Sequence, residues 1–221
     1  MKKVLFIIIA SLLTSSLLKA EQQRDLSMGP YLSLKAGVNA GNTMDGRKNG
    51  IAFTGIPDFG VQFYYPLSID NDLGIFCDLG LSNYAYNIEG VNVGKDYTLT
   101  YRYITIAPRF YFNIFSFGFA YGMPIAADFG EEIDTDILES LAEIRLAAFI
   151  PLMSDESGSL NLNIEVGYMF TGFYQDFAKN DPLLPSIPEV PPQVPSSKYN
   201  PRAVSLSIGI SYLMNFYSYE E

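Results

Sequence analysis

The sequence predicts an all-β chain: an eight-stranded antiparallel up-and-down transmembrane β-barrel with short periplasmic turns at one rim and long extracellular loops at the other. Three observations point there. Stretch after stretch alternates bulky apolar residues with small or polar ones at a period of two, as strands with one greasy face do. The connections between these stretches run long, short, long, short, long, short, long, as in a barrel with two unlike rims. The chain also opens like an exported protein, with Met1, Lys2 and Lys3 leading into an apolar run from Val4 to Ala10 and then small and polar residues up to Ala20. That run is well short of the ~20 residues a spanning helix needs, so 1–20 reads as a cleaved signal peptide and 21–221 as one barrel domain.

The strands follow in order. The first is expected from Tyr31 to Gly41, with Leu32, Leu34, Ala36, Val38 and Ala40 sharing a face, and the turn-rich GNTMDGRKNG at 41–50 reads as an exposed loop. The second runs from Phe59 to Leu67 and presents Phe59, Val61, Phe63 and Tyr65; the short turn SIDND returns the chain. The third, Leu73 to Tyr84, presents Leu73, Ile75, Cys77, Leu79 and Leu81, which makes Cys77 a small hydrophobe. After a polar loop, the fourth strand sets Ile104, Ile106, Pro108, Phe110 and Phe112 against Tyr101, Tyr103, Thr105, Ala107, Arg109 and Tyr111. Pro108 has no N–H for the ladder, so a bulge or a lost hydrogen bond is expected there, and a shifted register would turn Arg109 away from the interior.

A tight turn at Asn113 and Ile114 leads into the fifth strand, Phe115 to Ala126, whose large residues face small ones: Ser116, Gly118, Ala120, Gly122. An acidic loop with Asp128, Glu131, Glu132, Asp134, Asp136 and Glu139 follows, in which 135–141 reads as a short helix. The sixth strand is Ala142 to Leu152 and the seventh, Leu160 to Thr171, alternates Leu160, Leu162, Ile164, Val166, Tyr168 and Phe170 with Asn161, Asn163, Glu165 and Gly167. The loop 175–202 carries seven prolines from Pro182 to Pro201 and is expected to be extended and polyproline-like. The eighth strand, Ala203 to Phe216, closes the set.

The same alternation serves a soluble exported barrel that binds a ligand on its apolar inside. Such a barrel would show water many Lys, Glu and Thr, whereas the second face here is mostly Gly, Ser, Asn and Ala, which suits the cramped interior of an eight-stranded barrel. A closed barrel is also the one sheet that lipid tolerates, because no backbone edge is left unpaired. Aromatic residues near strand ends, Tyr31, Tyr64, Tyr65, Tyr101, Phe112, Phe115, Tyr168, Phe170, Tyr212 and Phe216, are expected to form the two interfacial girdles. Tyr and Phe number 16 each, and there is no Trp.

Composition narrows the function. Fourteen Lys and Arg stand against 24 Asp and Glu, a net charge of −10 that argues against nucleic acid as a partner. One cysteine cannot make an internal disulfide, and with no histidine the base of a Ser–His hydrolase is missing, so no enzyme is expected. Asp134 and Asp136 lack the glycine and closing glutamate of a calcium loop, so no metal and no cofactor are expected. On the inward faces Lys35, Asp78, Arg109, Glu143, Arg145 and Glu165 read as a pairing network that plugs the lumen, since unpaired charges in a narrow interior are unfavourable. Arg102 falls in the outward register and can reach anionic headgroups.

The run YITIAPRFYF, its short turn and the following FGFAYGMPIAADFG resemble the outer-membrane β-barrel domain of the PorT-like family. The resemblance implies an eight-stranded outer-membrane barrel in a Gram-negative-type bacterium, without a common enzymatic activity. Two functions remain open: a structural or binding surface protein acting through its extracellular loops, and a small transport or secretion-accessory barrel. The expected partners are outer-membrane lipid and a protein met through loops 128–141 and 175–202, on a monomeric barrel.

Overall fold

The computed structural model describes residues 26–41, 47–68, 73–90, 96–128, 132–175 and 201–216. The proposed signal peptide and residues 176–200 of the proline-rich loop lie outside them. The strands are β1 (Ser27–Asn39), β2 (Arg47–Phe53), β3 (Asp58–Pro66), β4 (Leu73–Gly90), β5 (Tyr97–Phe112), β6 (Phe115–Asp128), β7 (Glu132–Ile133), β8 (Leu141–Asp155), β9 (Gly158–Met169) and β10 (Ala203–Asn215). Neighbours pair antiparallel all the way round, and β10 returns to β1 over Ser27 to Asn39, so the sheet closes on itself. β2 and β3 both lie between β1 and β4 and together fill one strand position, broken at 54–57. β7 is a two-residue flap on β6. The ring therefore has eight positions.

The pleat sorts the side chains. Leu32 and Leu34, Ile104 and Ile106, Phe115, Phe117 and Phe119, Ile144 and Leu146, Val166, and Leu206, Ile208 and Ile210 all point outward and are exposed, forming an apolar belt around the wall. Cys77 sits partly exposed in the same outward register, opposite Pro108. Rows of Ser, Gly, Asn and aromatic residues point inward.

Several expectations need correction. Residues 47–50 are strand, because β2 extends the second strand position beyond a break that its Gly55 and Pro57 disguise as a loop. The short helix expected over 135–141 is one 3-10 turn, Thr135–Ile137, capped by Asp134, whose carboxylate accepts the Asp136 N–H. Leu138 instead bridges to Tyr174, and the Glu139 N–H donates to the Phe173 carbonyl, so the two loop roots zip together across the long-loop rim. Gly172, at φ 100°, makes the turn that sends Phe173 inward.

At Pro108 there is no bulge. Ile106 faces Tyr121 and Arg109 faces Gly118 in one continuous register, while Ala107 and Pro108 pair with β4 but not with β6. The register shift in this hairpin falls between Arg102 and Tyr103, and Arg109 points inward. Gly118 makes the close approach at Pro108 possible: a Cβ there would lie 2.2 Å from the Pro108 carbonyl oxygen and 2.6 Å from the Arg109 Cα. The β5–β6 turn uses Asn113 at φ 59°, a left-handed position that Asn tolerates. At the β8–β9 turn Asp155 accepts from Ser157 N–H at 2.9 Å and Ser157 Oγ at 2.6 Å, which holds its carboxyl below the ordinary carboxylate range. That support is present above the ordinary range and is lost as pH falls through the lowered value.

Gly118→Val is expected to destabilise the barrel by about 1–3 kcal/mol, because backbone and not a flexible side chain stands in the way. Gly55→Ala, with nothing within 4 Å of its added Cβ, is the control and should fold as the parent does. Thermal unfolding followed by gel mobility of unboiled samples reads both.

Candidate functional site

The inward face is built of three layers. Nearest the short turns, Tyr64, Phe76, Tyr111 and Phe149 pack with Ala147 and Leu213. Phe76 and Phe149 stack at 4.4 Å, and Tyr111 meets Phe76 edge-on at 5.2 Å. Such pairs each add about 0.5–1.5 kcal/mol beyond area burial.

The middle layer is ionic. Lys35, Arg109 and Arg145 face Asp58, Asp78, Glu143 and Glu165. Arg109 bridges two acids, holding Asp78 with one Nη and Glu165 with the other at 2.6 Å. Arg145 donates from Nε to Glu143 at 2.8 Å and lies 3.6 Å from Glu165. Thus Glu165 joins the two arginines. Lys35 pairs with Asp58 at 2.5 Å. Neutral donors complete the carboxylates: Tyr84 OH to Glu143 at 2.7 Å, Gln62 Nε2 to Asp78 at 2.8 Å and the Asn83 N–H to Asp58 at 2.7 Å. A Cβ on Gly167 would lie 2.1 Å from a Glu143 carboxylate oxygen, so β9 has to be bare there for that acid to fit.

The outer layer is aromatic again. Tyr84, Tyr86, Tyr101 and Tyr103 gather with Leu99, Leu138, Leu141, Met169, Phe173 and Tyr174. Phe173, carried in by the loop root, stacks on Tyr101 at 3.9 Å and on Tyr86 at 5.8 Å. The hydroxyls of Tyr101 and Tyr174 bond at 2.7 Å. Cation–π contacts tie the layers: Arg109 lies 5.0 Å from the Phe149 ring centre and Lys35 4.0 Å from that of Tyr84.

The six charges singled out in the sequence all lie in this middle layer, joined by Asp58. Asp58 sits beside the strand break and so reads as loop; extending the alternation of Gly60 and Gln62 back by one step would have placed it inward. Of the ten aromatic residues assigned to the girdles, Tyr65, Phe112, Phe115, Tyr168, Phe170, Tyr212 and Phe216 are exposed on the outer wall. Tyr31, Tyr64 and Tyr101 are not: Tyr64 and Tyr101 are buried in the lumen at 0% and 1% exposure. Tyr31 shares their inward parity and lies over Gly60 and Gly80, where an added Cβ would meet its ring edge and its hydroxyl. Parity, not nearness to a strand end, decides the face.

These features define a class, a small closed β-barrel with a filled lumen and an apolar outer wall. No protein-family model matches the chain, and no curated protein matches it in sequence. Among solved structures it is similar to Ail, the attachment invasion locus protein of Yersinia pestis, at 12% identity over 86% of this chain and 99% of that one, TM-score 0.37. It is likewise similar to the outer membrane protein OprG from Pseudomonas aeruginosa, at 13% identity over 90% and 100%, TM-score 0.41. The outer membrane protein AlkL stands at 14% identity over 91% and 95%, TM-score 0.42. At these identities the likeness concerns the fold alone.

Arg145→Ala leaves Glu143 buried without its cation and is expected to lower stability by about 3–5 kcal/mol. Gly167→Ala, which forces the same carboxylate aside, should shift unfolding in the same direction. A variant of either kind that melts with the parent would show that the layer contributes nothing to stability.

Proposed function

We propose that the chain is a bacterial outer-membrane barrel acting as a structural or binding surface protein through its extracellular loops. The observation that carries this reading is the filled lumen: two aromatic layers enclose an ionic one, with Phe173 and Tyr174 folded over the long-loop end. Rings stacked at 3.9 Å and 4.4 Å within these layers support a lumen closed to solutes. The exposed apolar belt supports lipid as its surroundings, since large contiguous apolar surface is disfavoured in water. What remains for contact with partners is the long-loop rim, at 128–141 and 175–202. No enzymatic step, cofactor or metal enters the proposal, and the barrel acts as a monomer.

The second reading is a small transport or secretion-accessory barrel. It is favoured by the resemblance of 103–130 to the PorT-like family.

Purified barrel in planar bilayers is expected to give no sustained solute conductance. Robust flux from the parent protein would favour the second reading and sink the plugged lumen. Membrane insertion itself is read by a folded band that migrates differently from the boiled one.

A further inference from the structure

Two irregularities of the wall fall side by side. The strand position shared by β2 and β3 is broken at 54–57, and the β5–β6 ladder shifts register between Arg102 and Tyr103, leaving Ile125 as the extra residue of β6. Between them lies a recess of about 440 Å³ lined by, among others, Thr54, Ile56, Asn83, Arg102, Asp128 and Glu132. Bulges re-aim side chains and end regular pairing, and here they open the wall beside Arg102. Two residues below Arg102 on β5 is Ile104, exposed on the belt; two residues above is Thr100, paired with Asp128.

Arg102 is held but not consumed. Its Nε donates to Asn83 Oδ1 at 3.2 Å, and Asn83 is itself fixed to the strand break through the Pro57 carbonyl at 3.1 Å. The Nη groups have no partner among the described residues. Farther from the belt the sign reverses: Asp128, which has an interaction of its own, and Glu132 are paired on the β6–β7 ladder and both exposed. Along β5 and β6 the order away from Ile104 is thus apolar surface, cation, anion, with the exposed Phe53 and Ile51 of β2 flanking the recess.

We propose that this recess is a lipid-headgroup site for a phosphate that carries a primary ammonium, the phosphate on Arg102 and the ammonium on Glu132. A guanidinium fork suits a phosphodiester, and a primary ammonium offers N–H donors to the carboxylate. The acyl chains continue down the belt over Ile104, Ile56 and Phe59. The inference rests on the membrane reading above.

The test floats the parent barrel with vesicles of phosphatidylcholine doped equally with phosphatidylethanolamine and phosphatidylglycerol, extracts it with a minimal ring of lipid and quantifies the retained headgroups. The parent is expected to enrich phosphatidylethanolamine over phosphatidylglycerol by about two- to five-fold, the scale of one partly exposed ion pair. Arg102→Ala should retain less of both. Arg102→Lys should recover part of that loss, and Glu132→Gln should erase the preference while total retention holds. Failure of the parent to float would overturn the membrane reading itself. Flotation with equal retention of the two lipids, or Arg102→Ala retaining lipid as the parent does, would overturn the headgroup site alone. Competition at millimolar inorganic phosphate separates sources: loss of retained lipid would mean a free-anion site and would also overturn the proposal.

Discussion

A closed sheet has to fill its own inside, and in an eight-position barrel the room is so small that each large inward side chain requires small ones opposite. The ladder from β10 to β1 removes the last open edge and thereby creates this constraint. β4 and β5 supply the bulk, with Phe76, Tyr84, Tyr86, Tyr101, Tyr103 and Tyr111 all directed inward. β6, β9 and β10 supply the room, with Ser116, Gly118, Asn161, Gly167, Ser205, Ser207, Gly209 and Ser211 on their inner faces. Rings from one half cross the lumen because the other half is nearly bare.

The charges follow from the same shortage of space. The seven ionic groups lie between two aromatic layers, and each finds its partners from the wall. Arg109 and Arg145 do so by sharing Glu165, and Lys35 does so by reaching Asp58 at the strand break. A buried ion network of this kind adds little over an apolar filling of equal shape, yet losing one member strands another. Its benefit is register: apart from Glu143–Arg145, both on β8, the pairs join residues from different strands, and a slip by one residue would turn one member of each such pair out to the belt.

Much of this was legible from alternation alone. The eight strand positions, the outward Leu and Ile rows and the inward register of Lys35, Asp78, Arg109, Glu143, Arg145 and Glu165 all follow from a period of two. What alternation misses is interruption. β2 was hidden because Gly and Pro between 54 and 57 imitate a loop end, and with it went Asp58. Tyr31, Tyr64 and Tyr101 were drawn to the girdles by position along the strand, although their parity with Lys35, Gln62 and Arg109 already set them inside. Phe173 and Tyr174 had no periodic signal at all, since they enter the lumen from a loop root turned by Gly172.

Pro108 shows why irregularity settles where it does. A proline in a closed ring must leave one ladder position without a donor, and the chain can either insert a residue or skip the pair. Insertion at 108 would turn Arg109 outward, stranding Asp78 and Glu165 in the lumen. Skipping retains the register, and Gly118 lets β6 come close enough to bridge the gap. The shift occurs instead six residues away, between Arg102 and Tyr103, where the neighbouring outward position holds a cation and no ionic pair of the lumen depends on the register. The ionic layer thus decides which parts of the wall must be regular, and the recess at Arg102 lies where that demand ends.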